Sequence, residues 1–105
     1  MVTKIDEFFK GWLVGNFEPA LVKTTDIEVG LKSYISGDNE PLHVHKLTTE
    51  WTCVIRGIVE MNDVIYSTGD IIEILPGIAT KFRCIDDATT LVIKTPSITT
   101  DKYLL

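Results

Sequence analysis

The sequence lacks several features that define common protein classes. Its 105 residues include two cysteines, Cys53 and Cys84, and neither belongs to a CxxC pair, so a disulfide framework or a zinc ribbon is not expected. Both lie in apolar, strand-like segments, which favours buried thiols. No apolar run approaches the ~20 residues that cross a bilayer, and the N-terminus has no signal-peptide core. We therefore expect a soluble, cytoplasmic protein with no membrane partner.

Positive charge is also scarce. Ten Lys and Arg residues stand against fifteen Asp and Glu residues, which gives a formal net charge of −5 at pH 7. Proteins that bind nucleic acid use a basic patch to release counterions from the phosphate backbone. The charge balance therefore predicts no nucleic-acid partner. The length predicts one domain, residues 1–105, with a core of modest size.

Apolar residues recur at two different spacings along the chain. Near the N-terminus the spacing is helical, which predicts a short helix within the lead-in of residues 1–19; the apolar positions are Ile5, Phe8, Phe9, Trp12 and Leu13. From residue 20 the period is two, as in strands. Turn signals separate short strands at residues 37–39, 56–57, 62–63, 68–70, 76–77 and 86–87. We expect the tail, residues 96–105, to pack on these strands or on a twin subunit.

Many short strands with no second helical pattern indicate an antiparallel sandwich or barrel of the jelly-roll kind, here over residues 20–95. The only two histidines, His43 and His45, lie in this region two positions apart. Side chains two apart on a strand leave the same face, with Cα atoms ~7 Å apart, so both imidazoles can reach one point. Glu50 can join them from the next strand. Two imidazoles and a carboxylate predict a site for a divalent metal ion but do not identify a reaction.

The spacing of Gly37, His43, His45, Glu50 and Gly57 resembles the first motif of the cupin superfamily, with every diagnostic position filled. This resemblance covers about residues 20–95. It implies an all-β, cupin-type antiparallel jelly-roll β-barrel of about six to eight strands, with a metal ion in its mouth. It also implies a homodimer, because small cupins are commonly dimeric.

The second cupin motif runs glycine, five residues, proline, one, glycine, two, histidine, three, asparagine. This chain matches it only in part, with Gly69, Leu75, Gly77, Thr80 and Cys84 at those positions. The family's third histidine is therefore replaced by Thr80, whose hydroxyl is a poor neutral ligand.

By resemblance, the metal ligands are His43, His45 and Glu50. Two histidines and one carboxylate resemble the facial triad that suits iron(II), and manganese, nickel and zinc are equally admissible. Because Thr80 replaces the family's third histidine, the sequence is also compatible with a barrel that binds its ligand without a metal ion. Thr80, Cys84 and Arg56 are candidates for the pocket lining, the first two because they share a strand face and Arg56 because its offset from Glu50 is even. Arg56 could meet a carboxylate or phosphate of a ligand, although a salt bridge on the outer rim is the more common role of such a residue.

Three functions are compatible with this pattern, and no catalytic residue is identified. The first is a metal-dependent enzyme that oxidises or isomerises a small polar metabolite. The second is a non-catalytic module that binds a sugar or nucleotide sugar. The third is a metal-free sugar epimerase or ketoisomerase relative, with His43 or His45 as base and a tyrosine as acid.

Overall fold

A computed structural model describes all residues 1–105 of the chain. It confirms the predicted all-β class, because the regular structure consists of nine strands and two 3-10 turns. The strands are β1 (Trp12–Gly15), β2 (Val22–Lys23), β3 (Glu28–Tyr34), β4 (Asn39–Val44), β5 (Thr49–Met61), β6 (Val64–Ser67), β7 (Ile71–Ile74), β8 (Thr80–Thr95) and β9 (Tyr103–Leu104). No helical segment has the length and apolarity that a membrane crossing requires.

The N-terminal segment is more irregular than the single helix that its spacing predicts. It forms two 3-10 turns, Ile5–Glu7 and Phe9–Gly11, separated by Phe8 in an extended conformation. Lys10 and Gly11 both have positive φ, 50° and 78°, which ends any helix there. The apolar spacing therefore belongs to a segment that turns directly into β1.

β5 and β8 are the two long strands around which the barrel is built. They pair antiparallel over most of their lengths, from Thr49 opposite Thr95 to Met61 opposite Phe82. β8 also pairs with β3 and β4, and β5 also pairs with β6 and β7. The C-terminal tail packs on the barrel, where β9 pairs with β4.

Two of the predicted turns are wrong, because β5 and β8 run continuously through residues 56–57 and 86–87. The pairing instead changes register three times between Val54 and Val59, which is the signature of β-bulges. Gly57 lies within this irregular stretch with φ 93°. A Cβ at Gly57 would overlap the carbonyl oxygen of Asp87 and lie 2.7 Å from the Cα of Ala88. Gly57 thus permits the close approach of two bent strands, β5 and β8. It does not form the turn that the sequence predicted at this position.

The hydrophobic core lies next to the candidate site. Its buried members are Val54, Val59, Met61, Ile74, Phe82, Cys84 and Ala88. Met61 and Phe82 also line the cavity that contains the two histidines. The floor of that cavity is therefore rigid packed core, which is the support that a binding site requires.

Candidate metal and ligand site

A cavity of about 280 Å³ is lined by polar side chains from several strands. His43 of β4, His45 just after it, Glu50 of β5 and Thr80 of β8 all line this cavity. The strand register explains part of this grouping, because His43 lies opposite Thr80 in the β4–β8 pair. The structure thus brings together four of the residues that the sequence selected.

Both imidazoles are anchored to the backbone through Nδ1. His43 Nδ1 lies 2.9 Å from the carbonyl oxygen of Pro41, and His45 Nδ1 lies 2.5 Å from that of Asp101. A carbonyl only accepts a hydrogen bond, so Nδ1 is the donor in each ring and the neutral ring has its lone pair on Nε2. The rings meet edge to face, with centroids 5.2 Å apart. Burial lowers the pKa of His45, which favours this neutral form.

Glu50 lies between one of these histidines and a lysine. Its Oε1 is 3.9 Å from His45 Nε2 and 4.0 Å from Lys94 Nζ, and the Thr52 hydroxyl donates to its Oε2 at 3.3 Å. Burial raises the pKa of the Glu50 carboxyl, while Lys94 opposes that shift. The net shift of the Glu50 pKa is therefore upward, and the Lys94 charge offsets only part of the effect of burial.

The three expected ligands are neighbours but do not form a complete metal site. No three His, Cys, Asp or Glu side chains are gathered closely enough to hold a metal ion. His45 Nε2 and Glu50 Oε1 are 3.9 Å apart, wider than the roughly 3.4 Å that two bonds of about 2.0–2.2 Å would give at the tetrahedral angle of zinc. Two imidazoles and a carboxylate are donors that a divalent ion accepts, and binding all three groups to one ion requires a side-chain movement.

No protein-family model and no curated protein matches the chain. Solved structures do match. An uncharacterized conserved protein with a double-stranded β-helix domain from Klebsiella pneumoniae has a TM-score of 0.71 and 21% identity, with 98% of this chain and 89% of that chain covered. The chain has the cupin fold.

Two further cupin-fold structures are longer proteins. Bacterial pirin YhhW from Escherichia coli, solved with nickel(II), has a TM-score of 0.69 and 19% identity over 83% of this chain and 39% of that chain. The DMSP lyase DddQ from Ruegeria pomeroyi has a TM-score of 0.70 and 16% identity over 89% of this chain and 49% of that chain. The chain thus spans less than half of either protein. At such identities the likeness shows the fold alone.

Two expected pocket residues of this cupin fold lie elsewhere. Cys84 is 1% exposed and packs in the core, where its Sγ donates to the carbonyl oxygen of Asp86. Burial raises the pKa of its thiol, so the neutral form is favoured. Arg56 is exposed and does not line the cavity, because the bulges between Val54 and Val59 interrupt the alternation on which its inward placement was predicted.

The sequence reasoning missed the lysines of the cavity and the partner of His45. Lys94 could have been found, because it continues the alternation of Thr80, Thr90 and Val92 along β8. Asp101 could not, since it lies in the tail outside any periodic segment. Three other lysines also line the cavity: Lys10, Lys32 and Lys102.

Proposed function

We propose that this protein binds a small polar metabolite in the mouth of its barrel, together with a divalent metal ion held by His43, His45 and Glu50. The observation that carries the proposal is the anchoring of both imidazoles through Nδ1, which leaves both Nε2 atoms as ligands. His45 Nε2 and Glu50 Oε1 lie 3.9 Å apart, so a small side-chain movement would bring both atoms within bonding distance of one ion. The nickel(II) in the structure of the related fold YhhW supports it further.

A divalent ion in this place would polarise an oxygen atom of the bound metabolite as a Lewis acid. The chain's own residues then have separate tasks. With both histidines used as ligands, the cavity's remaining proton-carrying groups include Tyr34 and Glu40, whose side chains are joined by a 3.2 Å hydrogen bond from the tyrosine hydroxyl. Burial and the Glu40 charge raise the pKa of Tyr34, so its hydroxyl stays protonated. Oxidation or isomerisation of a carbonyl compound is the reaction class to test.

Isothermal titration of Mn²⁺, Ni²⁺ and Zn²⁺ into the protein tests the metal site. We expect one ion per chain, and weakening by more than about 100-fold in His43→Ala, since even outer-shell changes cost about 10–100-fold. Glu60→Gln is the matched control, because Glu60 lies on the same strand as Glu50 but pairs with Arg83 outside the cavity. Absence of binding in the unchanged protein, or equal affinity in His43→Ala, would contradict the proposal.

A second candidate is metal-free ligand binding, and the position of Lys94 favours it. Its ammonium group lies 4.0 Å from Glu50 Oε1 and supplies positive charge beside that carboxylate. Under this alternative, divalent ions do not bind and thermal stability rises with a sugar or nucleotide sugar, because a ligand bound only by the folded state stabilises it.

The homodimer stays a prediction that sedimentation can test.

A further inference from the structure

The cavity is basic although the chain as a whole is acidic. Four of the ten basic side chains line it, against only two of the fifteen acidic ones, Glu40 and Glu50. These four lysines come from distant parts of the sequence: Lys10, Lys32, Lys94 and Lys102. A concentration of one charge sign in a concave site attracts ligands of the opposite sign.

Trp12 organises two of these lysines. The ammonium nitrogen of Lys32 lies 4.8 Å from the centroid of the Trp12 ring, and that of Lys94 lies 5.0 Å from it. The ring can occupy this place because Gly30 has no side chain, and a Cβ there would lie 2.7 Å from the indole. The aromatic ring thus holds two cations in fixed positions at the cavity.

The lysine charges are incompletely neutralised by the protein. Lys94 has Glu50 at 4.0 Å, whereas Lys10, Lys32 and Lys102 have no carboxylate within 4.0 Å. Lys32 donates instead to the backbone carbonyl of Lys10. Burial lowers the pKa of Lys32, Glu40 opposes this, and the neighbouring lysines lower it further. An anion between these ammonium groups would relieve their mutual repulsion.

We propose that the ligand of this cavity carries a carboxylate or phosphate group and that Lys32 and Lys94 bind this group beside the Trp12 indole. The inference rests on the proposed function, because it names the ligand class of the same cavity. Arg56, which the sequence offered as one candidate partner of a carboxylate or phosphate, lies outside the cavity. The histidines and Glu50 would bind the metal ion, and the anion site would adjoin them, because Lys94 Nζ lies 4.0 Å from Glu50 Oε1.

Intrinsic fluorescence of Trp12 provides a local test. Trp51→Phe leaves Trp12 as the only tryptophan, and the chain is then titrated with malonate, inorganic phosphate and the neutral analogue malonamide at constant ionic strength. We expect a saturable change with malonate or phosphate and none with malonamide. The malonate and phosphate arms distinguish a carboxylate ligand from a phosphate ligand. Failure of both anions, or equal binding of malonamide, overturns the inference.

Variants of the lysines locate the binding group. In the Trp51→Phe background, Lys32→Met is expected to weaken anion binding by about tenfold, the effect of losing about 1.4 kcal/mol from one charged hydrogen bond. Lys32→Arg keeps the positive charge and is expected to retain most of the anion binding. A loss in Lys32→Met alone is then due to the missing charge and not to a disturbed fold. Lys81→Met is the matched control, because Lys81 pairs with Asp63 outside the cavity. Undiminished anion binding in Lys32→Met would overturn the assignment.

Titration of Mn²⁺ into the same variants separates this inference from the proposed metal site. Lys32 is not within ion-pair distance of Glu50, so we expect Lys32→Met to keep its Mn²⁺ affinity while losing anion affinity. Anion binding by a chain that does not bind Mn²⁺ would refute the metal site and uphold the lysine site. Mn²⁺ binding without anion binding would do the reverse.

Discussion

Thr80 is the residue at which this cavity departs from the second cupin motif. It lies opposite His43 in the β4–β8 pair, is 3% exposed, and lines the cavity with the two histidines. Its hydroxyl donates to the carbonyl oxygen of Ile78. A histidine at position 80 would therefore line the same cavity as the expected ligands His43 and His45.

Thr80→His is expected to raise Mn²⁺ or Ni²⁺ affinity by about tenfold, which corresponds to about 1.4 kcal/mol from one added ligand. Thr80→Val keeps the shape without the hydroxyl and is expected to leave the affinity unchanged. Titration calorimetry on both variants measures the difference. Equal affinities in the two would show that position 80 cannot reach the ion.

Asp101 holds the loop that carries His45. Its carboxylate accepts the backbone N–H groups of Lys46, Leu47 and Thr48 at 2.9–3.0 Å, while its carbonyl oxygen holds the His45 ring. Burial by itself would raise the pKa of Asp101, but these donors lower it below the usual range. One buried residue therefore fixes a loop through its side chain and a candidate ligand through its backbone carbonyl.

We predict that Asp101→Asn destabilises the fold by about 3 kcal/mol, because an amide loses the charge and turns a donor toward one of the buried N–H groups. Asp63→Asn is the control, since that exposed aspartate has a single surface partner, Lys81, at 3.0 Å. We expect a change within about 0.5 kcal/mol there. Urea denaturation measures both unfolding free energies. Equal losses would show that Asp101 has no special structural role.

At the scale of the elements, Gly57 and Gly69 share one backbone property and differ in surroundings. Their φ angles are 93° and 96°, but a Cβ at Gly57 would collide with the backbone of β8, whereas one at Gly69 would meet nothing within 4 Å. Positive φ alone costs an alanine about 1–2 kcal/mol. The pair therefore separates the cost of conformation from the cost of crowding.

Gly57→Ala is predicted to lower the unfolding free energy by about 3 kcal/mol or more, because overpacking adds about 1–3 kcal/mol to the conformational cost. Gly69→Ala is expected to lose only the conformational part. Thermal and urea unfolding provide the comparison. If the two variants lose the same stability, the close crossing of β5 and β8 is not what requires glycine at position 57.

The same elements show how far sequence patterns reach. Alternation predicted most strands, because one face of each is buried in the barrel. The turn signals failed at residues 56–57 and 86–87, since glycine and paired aspartates mark bulged, bent strands as readily as turns. The helical spacing failed at the N-terminus, where positive φ angles at Lys10 and Gly11 replace a helix by two short turns.

For the whole molecule, the motif located the site and the fold determined its surroundings. His43, His45, Glu50 and Thr80 line one cavity, and their role as a binding site stays a prediction. The charge of that cavity was not predictable from composition, because a net charge of −5 gives no sign of four lysines meeting at one place. Such convergence depends on contacts between residues distant in sequence, which only the folded chain reveals.

The proposed metal site requires that two imidazoles and one carboxylate hold a single ion in this cavity. Its most direct test is an anomalous-difference map from crystals grown with Mn²⁺ or Ni²⁺. We predict one peak within about 2.0–2.3 Å of the Nε2 atoms of His43 and His45 and of the Glu50 carboxylate. A cavity without a peak, with Lys94 still beside Glu50, would contradict the claim.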